Sequence, residues 1–219
     1  MENKALNIAR RYMQGNDPSH DIAHVKRVIL NAKKIYAASN NKDVDLDTLI
    51  AIAALHDCID HKYVKPEDMI AKRALLHCEM VSELNISAAD AEFIISTIEN
   101  ISYSAEVKGG VASTSTCPYL AIARDADRLE SIGAIGIARC FAYSAATGRL
   151  LVTEDFDAET RAKNGSTDFK GDESAIMHFY EKLVKLQDRF KTDAGKALAL
   201  QRHEFLLKFL DQVHYELGM

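Results

Sequence analysis

Thr48–Asp57 reads TLIAIAALHD, ten residues on which the fold turns. Every residue from Leu49 to Leu55 is apolar, so no side of a helix built from them can face water. The segment predicts a short central helix enclosed by other elements. It ends in an imidazole and a carboxylate, His56 and Asp57. A carboxylate at the end of a dry helix is costly unless something neutralises it. The stretch that predicts the core therefore also predicts where the chemistry sits.

Working outward, HDIAHVKRVILNAKKIYAAS (residues 20–39) places Ile22, Val25, Val28 or Ile29, Ala32 and Ile35 on one inward stripe, and the preceding Asp17-Pro18-Ser19 suits a helix start. His20, His24, Arg27 and Asn31 follow at spacings of four, three and four and share a polar face. Further helices are predicted over PEDMIAKRALLHCEMVSEL (66–84) and over SAADAEFIISTIENI (87–101), where Ser87 and Asp90 are placed like a capping box. A long helix is expected from about Tyr119 to Tyr143, then two more from about Glu173 to Phe190 and from Ala194 to Glu216. Polar, irregular composition at Ala105–Thr116 and Gly148–Asp172 predicts surface loops able to cover a site. Alternating strand patterns are almost absent, so the expected class is all-α. The whole chain, 1–219, is expected to form one domain, a helical bundle with its core over about 20–145 and C-terminal helices, about 173–216, packed on it.

Composition sets limits on function. With 219 residues, 47% of them hydrophobic, the chain can bury one sizeable core. A net charge of −5 and a pI near 5.9 provide no broad cationic surface for duplex nucleic acid, although a local basic pocket for a small anion is compatible with both. Cys58, Cys78, Cys117 and Cys140 form no C-x-x-C pair, which argues against a disulfide framework and a thiolate zinc site. The N-terminal MENKALNIARRYMQ carries charges throughout and lacks the apolar run of a signal peptide, and no later stretch has the length to span a bilayer. The expected location is the cytoplasm, with no membrane partner; a homodimer is possible.

Within YLAIARDADRLESIGAIGIAR (119–139), Asp127 stands in an otherwise apolar helix, and Gly133 and Gly136 allow close packing. Taken singly, each polar residue has a structural explanation. His24 can be a hydrogen-bonded core or surface histidine, and Asp127 can pair with Arg124, Arg128 or a helix N-terminus. The joint pattern is harder to obtain from packing. His24, the His56-Asp57 pair 32 residues later and Asp127 a further 70 on lie on separate predicted helices. A divalent cation would neutralise the carboxylates and accept the imidazole lone pairs in one structure.

That pattern resembles the HD superfamily of metal-dependent phosphohydrolases. The blocks HDIAHVKRV, AALHDCIDHK, IENISYS, ARDADRLESIGAIGIAR and HFYEKLVKL are similar, in order and over nearly the whole chain, to a compact bacterial branch of it. The resemblance implies a bundle of the HD-domain type in which His24, His56, Asp57 and Asp127 hold one divalent ion. Mn²⁺ or Mg²⁺ is preferred, with Fe²⁺, Co²⁺, Ni²⁺ or Zn²⁺ possible. Asp125 competes for the last position, but the superfamily's final Asp precedes a basic residue, as Asp127 precedes Arg128. The bound ion would activate a water and polarise the phosphorus. Asp60, one turn past the His-Asp pair, is the first candidate for general base, with His61 and Lys62 beside it. His20, Arg27, His61 and Lys62 are candidates for holding phosphate oxygens, and Lys65, Lys108 and Arg128 are weaker ones. The branch includes enzymes that convert deoxynucleoside triphosphates to monophosphate and pyrophosphate, so a nucleotide or other phosphate ester is the expected partner. Tyr63, Tyr103 or Phe141 could stack on a base. The alternatives are a nucleotide monophosphatase, a cyclic phosphodiesterase, a non-catalytic nucleotide-binding regulator, or a two-iron oxygenase; the last needs further histidines near the first set, whereas His77, His178, His203 and His214 sit in distant segments.

Overall fold

The computed structural model describes residues 1–15, 17–39, 43–60, 64–109, 117–153 and 174–218. Among them the chain is all α: ten α-helices, short 3-10 and π turns, and a lone bridge between Leu150 and Ser174. No helix among them is long and apolar enough to cross a membrane. The chain divides into two compact units, one of Met1–Asn16 with His20–Asp127, the other of Asp17–Ser19 with Arg128–Met219.

The first unit is organised around α3 (Leu46–Leu55), which packs against α1 (Glu2–Tyr12), α2 (Ile22–Ala38) and α5 (Ala88–Ile98). Neighbours on several sides explain why α3 has no polar face: all seven residues from Leu49 to Leu55 are buried. Helix α1 was not anticipated from the sequence. Its signal is short, Ala5, Leu6, Ile8 and Ala9 forming the buried face, with Glu2 in the first turn and Arg10 and Arg11 in the last matching the helix dipole. Helix α2 buries Val25, Val28, Ile29, Ala32 and Ile35 as expected. Its cap is Asp21, which accepts the His24 amide at 2.8 Å, whereas Asp17-Pro18-Ser19 leads into a separate 3-10 turn, Pro18–His20. Helix α4 (Met69–Glu79) runs on as a π turn through Leu84, and Ser87 caps α5 by accepting the Asp90 amide, as the spacing predicts.

Two expectations change. The stretch from Ala105 is not irregular at its start, because α6 (Tyr103–Gly109) covers it, with the Ser102 hydroxyl accepting the Ala105 amide at 3.1 Å. The rest of that stretch, from 110 to 116, lies outside the described residues, as does 154–172 of the second expected loop. The long helix from Tyr119 to Tyr143 is two helices, α7 (Pro118–Arg128) and α8 (Gly133–Ala146), separated by a 3-10 turn and an extended Ile132. Glycine is the reason. Gly133 has φ +73°, and a Cβ on Gly136 would lie 2.3 Å from the Ser131 carbonyl carbon.

In the second unit α10 (Asp193–Glu216) packs on α8, and a Cβ on Gly133 would meet Arg202 of α10 at 3.0 Å. The expected helix near Glu173–Phe190 starts at the Ser174 cap as α9 (Ala175–His178) and continues through π and 3-10 turns to Arg189. Phe141, Phe179 and Phe209 form one aromatic cluster there, which makes Phe141 a packing residue.

Alanine normally stabilises a helix relative to glycine, yet Gly136→Ala is expected to destabilise this protein by about 1–3 kcal/mol, because the added methyl meets backbone that cannot yield. Urea denaturation of the variant measures the sign directly.

Candidate metal centre

Three helices deliver the site. Asp21 fixes the start of α2 three residues before His24, so the cap sets where that ring points. His56 and Asp57 follow the last turn of α3 directly, and Asp127 lies in the last turn of α7. The four side chains meet. The two Nε2 atoms of His24 and His56 are 3.2 Å apart. Asp57 Oδ2 lies 3.5 Å from the first and 3.2 Å from the second, and Asp127 Oδ1 lies 3.5 Å and 3.8 Å from them.

The polarity of this cluster follows from one outer contact. His56 Nδ1 is 2.9 Å from the Ala53 carbonyl, which can only accept, so Nδ1 donates and the neutral ring turns its Nε2 lone pair into the cluster. Both histidines are buried, and Asp57 Oδ2 is a buried oxygen that accepts no well-formed hydrogen bond among the described residues. Electrostatics reflects the demand for positive charge. Burial disfavours the His56 imidazolium, but the charges of Asp57 and Asp127 outweigh it and push its pKa up to about 9. Burial likewise opposes the Asp57 carboxylate, yet His56 and His24 hold it well below the usual carboxylate range.

A pair of imidazole nitrogens and carboxylate oxygens converging on one point is the donor set of a borderline to hard divalent cation, and His24, His56 and Asp57 alone place one donor atom each within 4.8 Å of one another. Asp125, the rival for the fourth position, is fully buried, while Asp127 faces the two rings. Arg124, weighed as a partner for Asp127, donates Nε and Nη2 to the Asn100 carbonyl at 2.9 and 2.6 Å.

Among the other nominated residues, His20 meets His24 edge to face at 5.9 Å between ring centres, and Arg27 lies half-buried one turn beyond His24. Asp60 follows Asp57 closely, its amide 3.4 Å from the Asp57 carbonyl. His61, Lys62 and Tyr63 lie outside the described residues, as does the Lys108 side chain. Lys65 is exposed at the N-cap of the Pro66–Asp68 turn. Arg128 is buried and donates Nη1 to the Arg189 carbonyl at 2.6 Å. Of the histidines in distant segments, His77 is 3.2 Å from the Ala88 carbonyl, and His214 pairs with the Tyr180 hydroxyl at 2.7 Å. Asn31 shares the polar face of His24 by its spacing alone, which implies no role. Its burial against the Ala126 carbonyl, at 3.1 Å, is visible only in three dimensions.

No protein-family model matches the chain. The YpgQ protein of Bacillus subtilis is 29% identical over 198 residues, 90% of this chain and 84% of that one. The crystal structure of YpgQ in complex with ADP is similar with a TM-score of 0.70 and 28% identity, covering 96% of this chain and 97% of that chain. Protein L803 of Acanthamoeba polyphaga mimivirus is 31% identical over 202 residues, 82% of this chain and 78% of that one. An HD-superfamily hydrolase from Bacillus thuringiensis is similar at TM-score 0.66 and 25% identity, with 99% and 96% of the two chains covered. The chain belongs to the HD superfamily of metal-dependent hydrolases.

Mn²⁺ at about a hundred times its Kd is expected to raise the unfolding free energy of chelator-treated protein by about 2.7 kcal/mol. In Asp57→Ala that increment should vanish while helical circular dichroism persists. Full Mn²⁺ stabilisation of the variant would refute the site.

Proposed function

We propose that the chain is a phosphohydrolase acting on nucleotides, converting a dNTP or NTP to the monophosphate and pyrophosphate with the aid of one divalent ion. The observation that carries the reading is that Asp57 Oδ2 and Asp127 Oδ1 each lie 3.2–3.8 Å from both His24 Nε2 and His56 Nε2, which are themselves 3.2 Å apart. Nucleotide chemistry gains support from a relative, since YpgQ has been crystallised with ADP.

His24, His56, Asp57 and Asp127 would hold the ion, with Mn²⁺ or Mg²⁺ preferred for a mixed imidazole and carboxylate set. When bound, such an ion supplies Lewis-acid activation of water and of a phosphoryl oxygen. The chain's own residues do the rest. Asp60 sits one turn past the His-Asp pair, where a carboxylate can take the proton from the attacking water or orient it. His20 and Arg27, one turn to either side of His24, supply donors to the non-reacting phosphate oxygens, and His61 and Lys62 follow Asp60 closely enough in the chain to add to them. Arg128 is the weaker of the nominated cations, since part of its guanidinium serves the Arg189 carbonyl.

The deciding experiment is a screen of Mn²⁺- and Mg²⁺-loaded protein against dNTPs, NTPs, monophosphates and cyclic nucleotides, with pyrophosphate and orthophosphate measured separately. Equal amounts of monophosphate and pyrophosphate from a triphosphate are expected. Orthophosphate from monophosphates, or opening of cyclic esters, would redirect the assignment to those substrates, and nucleotide binding without turnover would leave a regulator. On the substrate found, Asp60→Asn should lower kcat by about 10²–10⁴ with little change in KM, and an unchanged kcat would remove Asp60 as the base. Arg27→Ala should raise KM without stripping the metal. Loss of bound Mn²⁺ in that variant would mean that its role is misread.

A further inference from the structure

We infer that Asn31 is a positioning residue of the metal centre, holding Asp127 against the two histidines through the main chain of α7. The inference rests on the metal-centre reading above and goes beyond its ligands. Asn31 is seven residues after His24 on α2, two helical turns on, and so shares its face. It is buried, and its Nδ2 donates to the carbonyl of Ala126 at 3.1 Å. Ala126 is the residue immediately before Asp127, in the last turn of α7, where carbonyls have no donor from their own helix. One hydrogen bond thus ties the two helices that carry the first and last ligands, at a point adjacent in sequence to the second of them.

The four side chains differ in how firmly packing holds them. The side chains of His24 and His56 are 1% and 2% exposed and that of Asp57 is 10% exposed, but that of Asp127 is 30% exposed. Asp127 is therefore the ligand least confined by its surroundings and the one that most needs its backbone fixed. An amide suits the task. It donates to a main-chain carbonyl without bringing a second charge into a site whose carboxylates already require a cation.

The test uses chelator-treated full-length protein and Mn²⁺ alone, with free Mn²⁺ counted by electron paramagnetic resonance, so that no substrate is involved. Asn31→Ala is expected to weaken Mn²⁺ binding by roughly ten- to a hundredfold, the range for loss of an outer partner of a metal ligand. Asp127→Ala should weaken it at least as much, and adding Asn31→Ala to Asp127→Ala should cost nothing further, because a residue acting through Asp127 has nothing left to position. Asn31→Leu keeps the branched shape and the number of side-chain heavy atoms while removing the donor, and should behave like Asn31→Ala if the latter folds poorly by circular dichroism. Wild-type affinity in a folded Asn31 variant, or losses that add in the double variant, would overturn the inference and leave the metal centre standing. Wild-type affinity in Asp127→Ala would overturn both. Failure of both Asn31 variants to fold would assign the contact to general stability and overturn the positioning role.

Discussion

Everything in the first unit is arranged around one electrostatic constraint, the burial of the Asp57 carboxylate beside two imidazole nitrogens at the end of an apolar helix. Taking a carboxylate out of water costs several kcal/mol, which is repaid only by opposite charge held in good geometry. The protein's own answer is partial: the histidines draw the Asp57 pKa down while His56 is drawn up, so each group's charge depends on the others. A divalent cation answers the same demand without protons, and it does so with the lone pairs that the ring orientations already present.

Orientation, more than proximity, separates this cluster from a chance meeting of polar residues. The Ala53 carbonyl fixes which nitrogen of His56 carries hydrogen, and Asp21 fixes the helical register of His24 from the first turn of α2. Neither contact involves a reacting group. Both spend main-chain hydrogen bonds that a helix end leaves over, so that the ends of α2 and α3 are satisfied and the ligands aimed by the same atoms. The packing of α3 against α1, α2 and α5 does the rest, since a helix with no polar face has no alternative way to lie.

Much of this could be read from the chain. The apolar run Leu49–Leu55, the stripe on α2 and the Ser87 cap are periodic or local signals, and each appears where expected. Other features escaped for particular reasons. Helix α1 has only a short buried face set among charges, and α6 begins in polar sequence whose cap, Ser102, looks like loop composition. The break between α7 and α8 was hidden because glycine inside an apolar helical pattern can mean either close packing or a turn, and Gly133 serves as both. Asn31 and Arg128 were singled out for their polarity, but their partners are the main-chain carbonyls of Ala126 and Arg189, and a carbonyl leaves no trace in residue identity.

The sequence by itself determined the all-α class and the buried central helix, because hydrophobic periodicity acts on composition and spacing alone, while the four residues of the candidate centre came from its resemblance to the HD superfamily. Only the tertiary structure decided how closely Asp127 approaches the two rings, that His56 Nδ1 meets the Ala53 carbonyl and that the Asn31 amide meets the Ala126 carbonyl. Those depend on distances between segments separated by up to about a hundred residues in the chain, and such distances are set by packing.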